Sequence, residues 1–189
     1  MIKVGFDLDG VLLYNPARII RPFVKRVKHQ FVPKRESTFY IPRTKPEKMF
    51  WSFLHLSSIF PADGWREIKQ LVDDKKIEAY IVTARFAFMK PDIDRWMKIL
   101  NKEGIFTDVI YNHYYKQPQI HKEDVIKQLG LEIFVEDNWD IVNYLQKHTK
   151  TRTYWVYNIF DRQIEYRYKA PNLRNIVHSI KKYAENKRS

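Results

Sequence analysis

The sequence predicts an α/β protein: a parallel sheet of about five strands with helices on both faces, and a small, mostly helical insertion after the first strand. Three observations carry this expectation. From residue 76 onward, short apolar runs alternate with segments of helical periodicity, the rhythm of β-α-β units joined by right-handed crossovers. Between the first apolar run and the second, residues 14–75 break that rhythm. Finally, 44% of the 189 residues are apolar, enough for one sizeable core at a length suited to one domain with an insertion.

Taken in order, the first strand is Ile2–Asp7, an apolar run that ends in acid. Within the insertion, Phe23, Val24, Val27 and Phe31 suggest a helix starting at Arg21-Pro22, since proline suits a first helical turn. Phe50, Phe53, Leu54 and Ile59 suggest a second helix, and Trp65, Ile68, Leu71 and Val72 a third. Pro33, Pro42, Pro46 and Pro61 punctuate the connections. So small an insertion is not expected to fold alone, and a cap over the active edge of the sheet is its natural reading. The division is then 1–13 and 76–189 for the α/β core and 14–75 for the helical cap.

The remaining strands are expected at Ala79–Thr83, Val109–Tyr111, Ile133–Glu136 and Tyr154–Tyr157. Between them, Pro91–Glu103 carries Ile93, Trp96, Met97 and Leu100 at helical spacing before Gly104. Glu123–Leu129 carries Val125, Ile126 and Leu129 and stops at Gly130. Asp140–His148 carries Ile141, Val142 and Leu145, and a last helix over Asn172–Glu185 buries Ile176, Val177, Ile180 and Tyr183.

Composition excludes several chemistries. Without cysteine there are no disulfides, thiolate metal sites or cysteine nucleophiles. Five glycines form no Gly-rich phosphate loop, which argues against a P-loop kinase. The histidines show no metal-ligand spacing and read as structural or surface residues. The net charge of +12 favours anionic partners, namely phosphorylated metabolites, nucleotides or nucleic acid, although a solvated lysine-rich surface would give the same figure. The run Met49–Phe60 is too short and too polar to span a bilayer. The amino terminus leads straight into the first strand, so no signal peptide and a cytoplasmic location are expected.

The chemistry gathers at strand ends. In Val4-Gly5-Phe6-Asp7-Leu8-Asp9-Gly10-Val11-Leu12, two carboxylates sit two residues apart after an apolar run. On a strand such residues share a side, and α/β sheets place ligands at the strands' carboxyl ends. Acids that close resist joint ionisation. A fold keeps them where a cation neutralises them, or where one attacks while the other moves a proton. The second strand ends in Thr83-Ala84-Arg85 and the fourth in Glu136-Asp137-Asn138, while Lys122 lies at a helix start. Two acids, a hydroxyl, a cation and two further acids converging on one crevice suit phosphoryl transfer.

The order Asp-x-Asp-Gly, apolar-Thr, Lys, Glu-Asp resembles the haloacid dehalogenase-like superfamily of phosphatases, with all four motifs in sequence. The resemblance implies a Rossmann-like fold and Mg²⁺. It makes Asp7 the nucleophile that forms an aspartyl-phosphate and Asp9 the general acid/base, with the Asp9 main-chain carbonyl a metal ligand. It makes Thr83 and Lys122 phosphate-binding groups and Asp137 a magnesium carboxylate with Glu136 beside it. Thr83, Ala84, Arg85 and Lys122 form the expected substrate-binding set, Arg85 either touching phosphate or facing solvent. Lys116 is the alternative lysine, for relatives with a longer lead-in to that helix. Some relatives carry a later acid where Ile141 stands, and Asp140 is one residue short of it. The presence of Asp9 favours phosphatase or phosphomutase chemistry over dehalogenation.

The short cap with the segments IVTAR and IFVEDN is similar to the 5'(3')-deoxyribonucleotidase-like branch, which points to a nucleoside monophosphate or similar small ester. Alternatives are a polynucleotide end phosphatase, supported by the positive charge, and a non-catalytic nucleic-acid or protein-binding module. The intact acidic and basic set speaks against the last.

Overall fold

The structure, a computed structural model, describes residues 1–16, 39–55 and 58–188. The helix expected from Arg21-Pro22, together with Pro33, lies outside the described residues. The chain opens with β1 (Ile2–Phe6) and the short β2 (Leu13–Tyr14), and the insertion contributes α1 (Lys45–His55) and β3 (Phe60–Pro61). Then follow α2 (Trp65–Asp73), β4 (Ile77–Phe86), α3 (Lys90–Leu100), β5 (Phe106–Asn112) and α4 (Pro118–Leu129). The remainder is β6 (Ile133–Glu136), α5 (Trp139–His148), β7 (Arg152–Val156), β8 (Lys169–Ala170) and α6 (Leu173–Arg188).

Six strands rather than five form the main sheet, in the order β5-β4-β1-β6-β7-β8. Every neighbouring pair in it is parallel. The added strand, β8, is two residues long and carries no periodic signal of its own. Because β1 is central, the chain builds outward to β5 on one side and then returns to lay β6, β7 and β8 on the other. The order reverses beside β1, the place where such sheets open a crevice at their carboxyl ends.

Strand residues alternate between two apolar layers. Val4, Phe6, Ile77, Ala79, Ile81, Ile133 and Val135 join a cluster with Ile68 and Leu71 of α2, Trp96 and Leu100 of α3 and Ile176 and Ile180 of α6. Tyr80, Val82 and Phe134 join a second cluster with Val125 and Ile126 of α4 and Ile141 and Leu145 of α5. Helices therefore cover both faces. Gly5 belongs between β1 and this second layer because a Cβ there would stand 2.6 Å from Leu131 Cδ1.

The helix α2 corrects one expectation. Grouped with the insertion in the sequence, it buries Ile68 and Leu71 in the main core and packs on α6 and β4. The described insertion instead leaves and rejoins the core side by side. Strands β2 and β3 pair antiparallel through Leu13–Pro61 and Tyr14–Phe60, and the Tyr14 and Phe60 rings stack 4.9 Å apart. Ala62 N–H closes the junction on Leu12 O at 2.8 Å. Within the insertion, Thr44 and Glu47 cap α1 reciprocally. Glu47 Oε2 accepts from the backbone N–H of Arg43 (2.7 Å) and Thr44 (2.9 Å), and Glu47 N–H donates to Thr44 Oγ1 (3.4 Å). Ile59 lies past the end of α1 and is exposed.

Candidate active site

The site begins where β1 ends. Asp7 N–H donates to Val135 O at 2.9 Å, extending the β1–β6 ladder one residue beyond the strand. The chain then folds into a tight turn. Leu8 O accepts from Leu12 N–H (3.1 Å) and Leu13 N–H (2.8 Å), while Gly10 N–H donates to Leu13 O (2.8 Å). Gly10 stands at φ +82°, where a side chain is strained, and a Cβ there would lie 2.3 Å from Asp137 Oδ2. The glycine after the two aspartates is thus what lets Asp137 approach this turn. Asp137 is held from behind as well, its carbonyl accepting from Trp155 Nε1 at 3.1 Å.

Lys122 reaches the same place from the first turns of α4. Its Nζ lies 3.1 Å from Asp7 Oδ2 and 2.6 Å from Glu136 Oε2, with the lysine and Glu136 almost wholly enclosed. The other oxygen of Glu136 accepts from Asn138 N–H at 3.0 Å, so both of its oxygens have protein partners. Lys116 is elsewhere: it is exposed and pairs with Asp124 at 2.6 Å. Asn138, not Asp137 or Asp140, caps α5, its side chain accepting from Asp140 N–H at 3.0 Å. Asp140 sits in the first turn of that helix.

Asp9 is engaged differently from Asp7. Arg85 grips it with two bonds, Nε to Oδ2 at 2.8 Å and Nη2 to Oδ1 at 2.7 Å. The remaining guanidinium nitrogen, Nη1, bonds Asp92 in α3. Ser58 Oγ adds a third donor to Asp9, on Oδ1 at 2.6 Å. Arg85 is 2% exposed, so it does not face solvent. Thr83 is buried and its hydroxyl oxygen accepts from Arg85 N–H at 3.2 Å, whereas Ala84 is partly exposed. His121, next to Lys122, hydrogen-bonds the Thr83 backbone and leaves Nε2 without a hydrogen-bond partner.

Burial is the largest influence on Asp7, whose carboxyl is pushed well above the usual carboxylate range. The Lys122 charge opposes that rise, and Glu136, Asp137 and Asp9 add to it. Glu136 is raised for the same reason, burial first, against the pull of Lys122. For Lys122, burial disfavours the ammonium, yet Asp7 and Glu136 outweigh it and the lysine holds its proton more firmly than usual. Burial and then the Lys122 charge push His121 down to about 4, so it is neutral at physiological pH.

A metal ion fits this donor set. One oxygen each from Asp7, Glu136 and Asp137 lie within 4.8 Å of one another. All-oxygen donors suit a hard cation such as Mg²⁺. Three carboxylates, Asp7, Glu136 and Asp137, gather around one cation, Lys122, and a divalent ion would offset that excess of negative charge. The oxygens of Glu136 also serve Lys122 and Asn138.

The structure therefore brings Asp7, Lys122, Glu136 and Asp137 together, with Asp9 and Arg85 joined beside them. Three partners were not legible in the sequence. Ser58 carries no motif signal. Asp92 could have been found only as an acid in the first turn of the helix after Arg85. His121, read as structural or surface, is a buried residue beside the lysine that bonds the Thr83 backbone.

No family model matches the sequence, and no curated protein sequence matches it. Solved structures do share its architecture. A β-phosphoglucomutase-like protein from Thermotoga maritima superposes with a TM-score of 0.60 at 17% identity, covering 96% of this chain and 99% of its own. A haloacid dehalogenase-superfamily hydrolase from Ehrlichia chaffeensis gives 0.53 at 14% identity, covering 95% and 96%. A substrate-bound phosphoserine phosphatase gives 0.54 at 13%, covering 94% and 97%. The chain has the Rossmann-like fold of the haloacid dehalogenase-like hydrolases. Among the described residues, no helix is long and apolar enough to cross a membrane.

Proposed function

We propose that the protein is a Mg²⁺-dependent phosphomonoester hydrolase that works through an aspartyl-phosphate on Asp7. The observation that carries this reading is Lys122 Nζ at 3.1 Å from Asp7 Oδ2 inside an acid-lined, enclosed site. A carboxylate that buried is a poor anion by itself, and the fixed ammonium opposes that penalty and holds Asp7 Oδ2 in place. Asp7 Oδ attacks phosphorus in line with the ester oxygen. The new P–O bond to Asp7 forms as the bond to the leaving oxygen breaks, and Asp9 gives its proton to that oxygen. Water then attacks the same phosphorus while Asp9 takes a proton from it. The P–O bond to Asp7 breaks, inorganic phosphate departs, and Asp7 is regenerated. Lys122, the Thr83 hydroxyl and the backbone beside Ala84 would hold the phosphoryl oxygens. Bound Mg²⁺, held by Asp7, Asp137 and the Asp9 carbonyl, would neutralise charge on the transferring phosphoryl group.

The substrate class favoured is a nucleoside monophosphate or a similar small ester, on the similarity of the IVTAR and IFVEDN segments and a small insertion beside the site. The +12 charge supports a second reading, a polynucleotide end phosphatase. A screen of nucleotides, sugar phosphates and 3'-phosphorylated oligonucleotides, with and without Mg²⁺, tests both. Metal-dependent phosphate release from small esters supports the first. Release from DNA ends alone, falling steeply with salt, supports the second. No release from any ester would overturn both and leave a binding module on this scaffold.

A further inference from the structure

We infer that Arg85 is a positioning residue for the acid/base carboxyl, not a phosphate ligand: it fixes the plane and direction of the Asp9 side chain toward the leaving oxygen. This rests on the hydrolase reading above and deepens it. A guanidinium that binds substrate phosphate must be open to it, whereas this one spends three of its five N–H groups within the protein and is closed to solvent. Here Nε and Nη2 are given to the two oxygens of Asp9, at 2.8 and 2.7 Å, and Nη1 is given to Asp92. The side chain is fully enclosed. A two-pronged bond of this kind sets both the plane and the rotation of a carboxylate, which one bond or a lysine's point charge does not. Its own backbone N–H is anchored on Thr83 Oγ1 at 3.2 Å, and Asp92 is fixed in turn by Arg95 at 2.6 Å. The result is a chain of held groups, Arg95, Asp92, Arg85 and Asp9, running from α3 to the turn after β1. Such support suits a group whose role depends on a proton moving along one direction.

The test separates a group acting through Asp9 from one touching substrate. With enzyme in excess, single-turnover release of the leaving group is followed for p-nitrophenyl phosphate, whose phenolate leaves without a proton, and for an alkyl ester such as a nucleoside 5'-monophosphate. Arg85→Gln is expected to slow alkyl release by about 100-fold or more, and p-nitrophenol release by less than about 5-fold. Inhibition by inorganic phosphate should be unchanged. Arg85→Lys should recover only part of the loss, and Asp92→Asn should show the same selective pattern at roughly a tenth of its size. In an Asp9→Asn background, adding Arg85→Gln should slow alkyl release no further. Equal losses on both esters with weakened phosphate inhibition would make Arg85 a substrate ligand and overturn the inference. So would additive losses in the double variant. Arg85→Lys and Asp92→Asn carry the test if Arg85→Gln does not fold. A wild-type protein inactive on both esters would overturn the hydrolase reading itself, and this inference with it.

Discussion

At the carboxyl edge of the sheet, Asp7, Arg85, Lys122 and Glu136 are each more than nine-tenths buried. On α1 of the insertion, Met49, Phe50 and Phe53 are each more than three-fifths exposed. Both regions invert the usual placement of polar and apolar groups, and they do so under different constraints. Buried charges persist only where every one faces an opposite charge or a donor, so each member of the edge depends on the others. Exposed apolar side chains on one helix face bury little, so the core does not depend on them. The edge is a tightly coupled set of side chains, while the described insertion is joined to the core chiefly through the short β2–β3 pair and a few bonds. One of those, Phe39 N–H to Gln117 Oε1 at 2.7 Å, meets the residue that precedes α4.

That contrast can be broken most sharply at Asp7. Asp7→Asn should lower turnover of any monoester by about 10³-fold or more, measured as phosphate release. Stability should move the other way. The raised pKa means the folded state holds its proton after the unfolded chain has lost it. The associated stability is present below the ordinary value of 3.8 and is lost as pH rises through the folded value. Metal-free wild type should therefore destabilise as pH climbs, Mg²⁺ should reverse this, and the variant should show a smaller fall, the share that Glu136 contributes. A thermal melt series across pH decides it.

Next in size is the lysine comparison. Lys122→Met leaves Asp7 and Glu136 enclosed without their cation and should cost about 3–5 kcal/mol in denaturant unfolding. Lys116→Met, which removes an exposed pair with Asp124, should change stability by no more than about 1 kcal/mol and leave activity within about twofold. Equal effects would erase the distinction between edge and surface.

Truncating apolar groups runs the comparison from the other side. Ile68→Ala, in the helix α2 that the core claims, should cost about 2–4 kcal/mol. Phe50→Ser on α1 should stay within about 0.5 kcal/mol. A large loss from Phe50→Ser would show that this face is covered in the folded protein.

His121 gives the smallest expected effect, and a pH-dependent one. The unfolded histidine takes its proton near 6.5 and the folded one only near 4. Stability should therefore decline as pH falls between those values, by roughly 1–3 kcal/mol, and not change on this account above them. His121→Gln should flatten that part of the profile.

Much of this site is legible along the chain because its parts lie at strand ends. An apolar run closing in Asp7 and Asp9, another in Thr83, a third in Glu136 and Asp137 place themselves on one edge once the sheet is parallel. Gly10 is legible for the same reason, since the turn that follows needs a positive φ. The helix α2 was misplaced because its apolar spacing says that one face is buried, not against what. The strands β2, β3 and β8 escaped notice because two residues hold no period.

The order of apolar and polar residues by itself determined the β-α rhythm, the strand-end acids and the break after β1, since those follow from side-chain period and backbone preference over a few neighbouring residues. Only the tertiary structure decided that Lys122 and not Lys116 meets Asp7, that Arg85 turns inward to Asp9, and that Ser58 and Asp92 complete its surroundings. Those partners are separated by up to 115 residues in the chain. They meet because enclosing one charge compels the fold to bring up another, a requirement that acts through space and leaves no spacing in the sequence.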